Sequence, residues 1–553
     1  MAEDGITAET VAAAERIMGV AYTPEERAQM LGNLEGQIAA AAARRATPFP
    51  NDLPMASRFD PRLPGFAPPP APRPGGREPI AAGPCPADDE DLAFAAVAEQ
   101  AQWIARGELT SARLTEMYLA RIARLGPELE CFVTVLPERA RAEAAEADAE
   151  IAAGRRRGPL HGIPYGLKDL FDVAGGRTTW GATPYRDRVA EADAAIVEKL
   201  RAAGAVLIAK TTTGALAYGD IWFGGTTRNP WNLNEGASGS SAGSASAAAA
   251  GLIGFGIGTE TLGSITSPSQ RCGTTGLRPT FGRVSRRGGM ALCWSLDKVG
   301  PICRGVEDCA LVLAAIEGVD PGDRGSLEAP AFAFDPTSGI EGLRLGYLPE
   351  AFEDPGATDV DRAALEAATA LAGGATAVSL PDLPWGALMA ILYAEAAAAF
   401  EDLTLSDRDD ELVWQADGAW PNTWRKARFL SAVDHVQAER LRYRAMQALG
   451  ALFEEVDVLI GPFMTGPMLV ASNFTGHPCL HLRAGFDRVA SRSEASLSDA
   501  KLSVGEATEG ARFEVPQGIS LWSGLFDEAR LTSFGLALEE RLRVRDRRPT
   551  FPR

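Results

Sequence analysis

The chain has 553 residues, 46% of them apolar, and its 73 acidic against 54 basic side chains give a formal charge of -19 at pH 7. That balance argues against direct nucleic-acid binding, which depends on Lys and Arg neutralising phosphates. No apolar run approaches the roughly 18 residues of a membrane span, the acidic start Met-Ala-Glu-Asp lacks a signal peptide's basic region, and seven scattered cysteines fit reduced thiols, so a cytoplasmic protein without membrane contact is expected.

Residues 7–19 and 23–45 have helical spacing, and Thr23-Pro24-Glu25-Glu26 supplies an N-cap, a proline at the first helical position and acids in the first turn. Residues 48–86 are dense in proline, including Pro68-Pro69-Pro70, and read as an extended strap or linker. Residues 1–87 are thus expected to form a helical extension with a Pro-rich linker, and residues 88–553 the main domain. The extension suits packing on that domain or pairing two copies into a homodimer, and a structural appendage is the simpler reading.

From 91 to 154 helical patterns dominate, with Thr110 or Ser111 as an N-cap. The run Gly-Ile-Pro-Tyr-Gly-Leu-Lys-Asp (162–169) reads as a buried strand interrupted by a polar pair. A lysine in such a strand must be partnered or neutralised. Asp169 is a poor partner for Lys168, because adjacent strand residues point to opposite faces. A strand-like stretch at 204–209 follows, then a Gly/Ser/Ala block at 236–251 that holds Gly239, Ser240 and Ser241. No Gly-Lys-Ser/Thr follows the glycines, which disfavours a phosphate loop, and the block's small-residue helix pattern disfavours a flexible linker.

Ser264 lies 24 residues beyond Ser240 in Gly-Thr-Glu-Thr-Leu-Gly-Ser-Ile (258–265). A serine hydroxyl is a weak nucleophile until a base removes its proton, and the usual base is histidine. The four histidines, His161, His435, His477 and His481, lie in no motif where such a base is expected. A neutral lysine does the same work once burial lowers its pKa, with a second serine carrying the proton. Further along, residues 385–429 carry Tyr393, Trp414, Trp420 and Trp424, which suit either an apolar substrate channel or the core. No Cys/His spacing suggests a metal, and no cofactor motif is present.

These segments in this order, with Arg-Asn-Pro-Trp-Asn (228–232), Cys-Gly-Thr-Thr-Gly-Leu-Arg-Pro-Thr (272–280), Gly-Arg-Val-Ser-Arg (282–286), Leu-Asp-Lys-Val-Gly-Pro (296–301) and Phe526-Asp527-Glu528, resemble the amidase signature family. The resemblance implies an α/β fold, a single domain with a large mixed central sheet flanked by helices on both faces. It implies a Ser/cis-Ser/Lys triad of Ser264, Ser240 and Lys168, a cis bond at Gly239-Ser240, supporting Ser241, and an oxyanion hole from the backbone N–H groups of Thr261, Leu262, Gly263 and Ser264. The expected reaction is hydrolysis of a small-molecule amide through an acyl-enzyme on Ser264, with neither metal nor cofactor.

Three positions depart from the common family pattern: Glu260 replaces Asp, Leu262 replaces Gly, and Thr266 replaces Arg. Loss of that arginine favours a neutral, apolar or aryl amide, unless Arg271 compensates. Leu262 keeps its N–H available provided its φ is negative. The alternative within the family is the A subunit of a glutamine-hydrolysing aminoacyl-tRNA amidotransferase, which several passages fit. Residues 400–430 lack that protein's Tyr/Gly-rich glutamine segment, and it lacks this N-terminal extension, so a hydrolase acting alone is favoured. Esters and carbamates are further candidate substrates, and a catalytically silent binding protein is disfavoured by retention of all three triad positions.

Overall fold

A computed structural model describes residues 6–70, 81–492 and 511–551. Eleven strands form one sheet: β1 (Phe132–Val135), β2 (Pro164–Lys168), β3 (Val206–Thr211), β4 (Phe255–Glu260), β5 (Thr275–Arg278), β6 (Lys298–Cys303), β7 (Leu345–Tyr347), β8 (Thr376–Ala377), β9 (Val458–Gly461), β10 (Cys479–Val489) and β11 (Phe513–Ser523). Their order is β1-β3-β2-β4-β6-β5-β10-β11-β9-β7-β8. The sheet is mixed. β2 runs parallel to both β3 and β4, whereas β6 pairs antiparallel with β4 and β5. Every residue of β2, β3 and β6 is buried, as expected of strands covered by helices on both faces.

Because β2 and β4 are parallel, Lys168 and Glu260 end their strands at the same edge of the sheet. The helix Ala242–Ala249 is buried at every position, since small side chains let it lie directly on β4. Two glycines of β4 permit that approach. A methyl at Gly256 would meet Ser244 Cβ at 2.8 Å, and one at Gly258 would meet Ser241 Oγ at 2.7 Å. A core of Leu167, Ile257, Val299, Leu480 and Ile519 fills the sheet's flanks, and a second cluster around Trp180, Leu292, Leu388 and Trp424 lies near the end of β4.

The extension contains the helices Ala8–Met18 and Pro24–Arg45, each opened by a threonine capping box at Thr7 and Thr23. The longer helix buries no residue, so these helices gain little from packing, and the strap that follows makes the firmer attachment. Asn51 exchanges two hydrogen bonds with the backbone of Ala291, at 2.8 and 2.9 Å, and Phe59 packs edge-on against Phe281 under the Arg442 guanidinium. The 71–80 portion of the proline-rich segment lies outside the described residues. Helical patterning at 91–154 is interrupted by β1, a short half-buried strand that the surrounding periodicity conceals.

Candidate active site

Lys168 ends β2, and its fully buried Nζ lies among three hydroxyls: Ser240 Oγ at 2.7 Å, Thr259 Oγ1 at 2.8 Å and Ser241 Oγ at 3.0 Å. Among the described residues no carboxylate comes within ion-pair distance of it. Asp169 turns the other way and pairs with Lys210 at 2.7 Å. Desolvation pushes the Lys168 ammonium well below its ordinary range, against the weaker opposing pull of Asp297 and Glu260. The Gly239-Ser240 peptide bond is cis. Ser241 ties this cluster to the next loop, its N–H donating to the Ser264 carbonyl at 3.1 Å.

Ser264 lies in the turn between β4 and the helix Thr266–Cys272 and is 8% exposed. Among the described residues its hydroxyl makes no hydrogen bond to Ser240. The sequence-predicted residues therefore fall into two groups, Lys168 with Ser240 and Ser241, and Ser264 with Thr261, Leu262 and Gly263, joined through the backbone. In the second group the left-handed residue is Gly263, at φ 86°, and Leu262 has negative φ. The N–H groups of Leu262, Gly263 and Ser264 find no acceptor among the described residues.

Glu260 holds this loop from behind. Its buried carboxylate accepts the N–H groups of Ile265 and Thr266, each at 2.9 Å, and on its other oxygen Arg278 at 2.6 Å and Asn473 at 3.0 Å. Burial alone would raise its pKa. The Arg278 charge and hydrogen bond, with the two N–H groups, outweigh that and hold it at about 2. Across the sheet Lys298 pairs with Glu260 in register, and burial together with nearby Arg278 brings its ammonium down to about 7. Asp297 braces the same loop by accepting the Thr261 hydroxyl at 2.6 Å and the N–H groups of Leu292 and Cys293.

Ser264 opens onto a cavity of about 480 Å³. Leu262, Leu292, Met389, Leu392 and Trp420 give it apolar walls, and Tyr218, Tyr393, Thr423 and Lys426 add polar groups. Of the four aromatics singled out within 385–429, Tyr393 and Trp420 reach this cavity, Trp424 is fully buried in the core, and Trp414 packs on Tyr218. Arg271 does not replace the missing arginine. Its guanidinium donates to the Arg492 carbonyl at 2.8 Å and approaches Glu235. None of the four histidines lines the cavity, and burial holds His477 and His481 near 3.

Thr259 and Asp297 were not singled out from the sequence, although both sit inside motifs that carry the resemblance. The signal was their position: Thr259 precedes Glu260 in Gly-Thr-Glu-Thr, and Asp297 precedes the start of β6. Among the described residues no helix is long and apolar enough to cross a membrane, and no cluster of metal-binding side chains occurs.

Comparison with known proteins agrees with this architecture. The chain is 42% identical over 302 residues to the A subunit of the glutamyl-tRNA(Gln) amidotransferase of Roseiflexus sp. (strain RS-1), a match covering 53% of this chain and 62%, less than two thirds, of that protein. To the protein of the same name from Methylobacillus flagellatus it is 32% identical over 468 residues, covering 79% of this chain and 94% of the relative. Among solved structures, the native peptide amidase from Stenotrophomonas maltophilia superposes with a TM-score of 0.68 at 30% identity, over 82% of this chain and 98% of that one. The family model described as Amidase matches residues 113–531, and the chain belongs to that family.

Proposed function

We propose that the protein hydrolyses a carboxylic amide through an acyl-enzyme on Ser264, with Ser240 as proton relay and Lys168 as base. The observation that carries this reading is the hydroxyl cage around Lys168. Ser241 Oγ lies 3.1 Å from the Thr259 carbonyl, to which its proton is given, so it accepts from Lys168. A neutral amine has two N–H donors and one lone pair. Donation to Ser241 and Thr259 leaves the lone pair facing Ser240 Oγ at 2.7 Å, positioned to take that hydroxyl's proton. Full burial without a carboxylate favours this neutral form.

In the proposed reaction Ser240 passes its proton to Lys168 and takes one from Ser264, and Ser264 Oγ attacks the substrate carbonyl carbon. The Ser240–Ser264 hydrogen bond forms when substrate is bound, as catalytic contacts that are loose in a free enzyme tighten in the complex. The N–H groups of Thr261, Leu262, Gly263 and Ser264 receive the oxyanion, and losing one such donor costs about a hundred- to a thousandfold in rate. Lys168 returns its proton through Ser240 to the leaving nitrogen as the C–N bond breaks. Water then attacks the ester, giving its proton to the same relay, and the acid leaves with Ser264 restored.

The apolar walls and the neutral Thr266 favour a neutral, apolar or aryl group beside the scissile carbonyl. The same acyl transfer applies to esters and carbamates. A second reading, a glutamine-hydrolysing A-type subunit that needs a partner, is supported by the names of the curated relatives. We further propose that residues 1–87 act as an extension to a catalytic unit at 88–553. The purified chain is to be assayed alone against aryl amides and against glutamine. Aryl-amide turnover without a partner supports the hydrolase, and glutamine turnover without aryl-amide turnover supports the partner-dependent reading.

A further inference from the structure

The helix Trp420–Ala427 lines the Ser264 cavity with Trp420, Thr423 and Ala427, and Lys426 from its last turn stands at the exposed rim. Its neighbouring cations are already committed. Arg425 pairs with Asp409 at 2.7 Å and Asp410 at 2.8 Å, and Arg428 pairs with Glu401 at 2.5 Å. Lys426 has no carboxylate partner among the described residues, in a chain that carries 73 acidic side chains. The Thr423 hydroxyl, one turn earlier on the same helix, is likewise without a hydrogen bond among the described residues. Ser264 and Lys426 thus line one cavity, together with the apolar side chains of Leu262, Leu292 and Leu392.

We propose that Lys426, assisted by Thr423, recognises a carboxylate at the end of the substrate remote from the scissile amide. The substrate class is then an amide with an apolar body and a distal anion. This rests on the amidase reading of Ser264 and deepens it, since the group beside the carbonyl stays neutral while the far end is charged. An ammonium at a rim is partly solvated, so the attraction is modest and screened by salt.

The test compares suberic acid mono-p-nitroanilide with octanoyl p-nitroanilide, which differ at the distal end. The wild type is expected to favour the acid about fivefold in kcat/KM, the whole advantage lying in KM and shrinking as salt is added. Lys426→Gln is expected to raise KM for the acid by about the same factor, and Lys426→Glu to disfavour the acid. Equal handling of both anilides by the wild type, or a Lys426→Gln loss shared by both, overturns the proposal. Kd values for both anilides on Ser264→Ala, with and without Lys426→Gln, decide it independently of turnover. Absence of turnover alone therefore counts against the amidase reading, whereas equal affinities count against the anion site.

Discussion

Replacing Glu260 by Gln removes one charge and almost no volume, yet it should disable both the loop and the fold around it. The carboxylate faces donors on both sides: Arg278 and Asn473 on one oxygen, the N–H groups of Ile265 and Thr266 and the Thr266 hydroxyl on the other. Whichever way an amide is turned, its NH2 points at donors and one set is left unsatisfied. A pKa moved from 4.5 to about 2 corresponds to about 3 kcal/mol favouring the charged form. Removing one partner of a buried ion pair costs about 3–5 kcal/mol, because Arg278 is left buried without its counter-ion.

The sign with pH follows. A lowered carboxylate pKa contributes stability that is present above about 4.5 and is lost as pH falls from there toward about 2. Urea unfolding at neutral pH should find Glu260→Gln about 3 kcal/mol less stable, with kcat reduced at least about tenfold by displacement of the Leu262–Ser264 N–H groups. Wild-type stability should fall more steeply than the variant's over the acid window. Glu260→Asp, which keeps the charge, should recover part of both losses. A Gln variant within about 1 kcal/mol of wild type, with normal kcat, would refute the bracing role of this carboxylate.

Lys168→Met should lower kcat by at least about a hundredfold. Because burial depresses the Lys168 pKa, the unfolded chain binds the extra proton, and that penalty on stability is present at low pH and fades as pH rises through the window between the folded and unfolded values. Wild-type kcat/KM should accordingly rise with pH well below 10.5, and a rise that begins only near 10.5 contradicts a neutral base. Gly258→Ala places a methyl 2.7 Å from Ser241 Oγ and 3.0 Å from Ile302 Cδ1, so overpacking of about 1–3 kcal/mol should accompany a fall in kcat as Ser241 is pushed from Lys168; unchanged kcat argues against the cage. Asn51→Ala removes the bonds to Ala291 and should cost about 1–3 kcal/mol and speed limited proteolysis of the strap, and equal cleavage rates would show that the anchor lies elsewhere.

Much of this was legible in the sequence because chain-local chemistry determines it. Thr7 and Thr23 cap helices wherever those helices go, and a lysine in an apolar strand must be partnered, as Lys210 is by Asp169, or neutralised in any fold that buries it. What stayed hidden depends on contacts between distant segments. Spacing alone does not separate Trp420, on the cavity wall, from Trp424, in the core, four residues further along the same helix. Arg271 is held by Glu235, earlier in the chain, and by the Arg492 carbonyl, 221 residues further along. β1 is only four residues long between two longer helices, and its strand character comes from pairing with β3.

The central claim is that Ser264 is the residue to which the acyl group is attached. Intact-mass and peptide mass spectrometry after exposure to a fluorophosphonate tests it most directly, on folded wild-type protein and on Ser264→Ala. A single adduct on the peptide carrying Ser264, absent from Ser264→Ala and strongly slowed in Lys168→Met, is the expected result. No adduct on the folded wild type, or equal labelling of Ser264→Ala, would contradict the account.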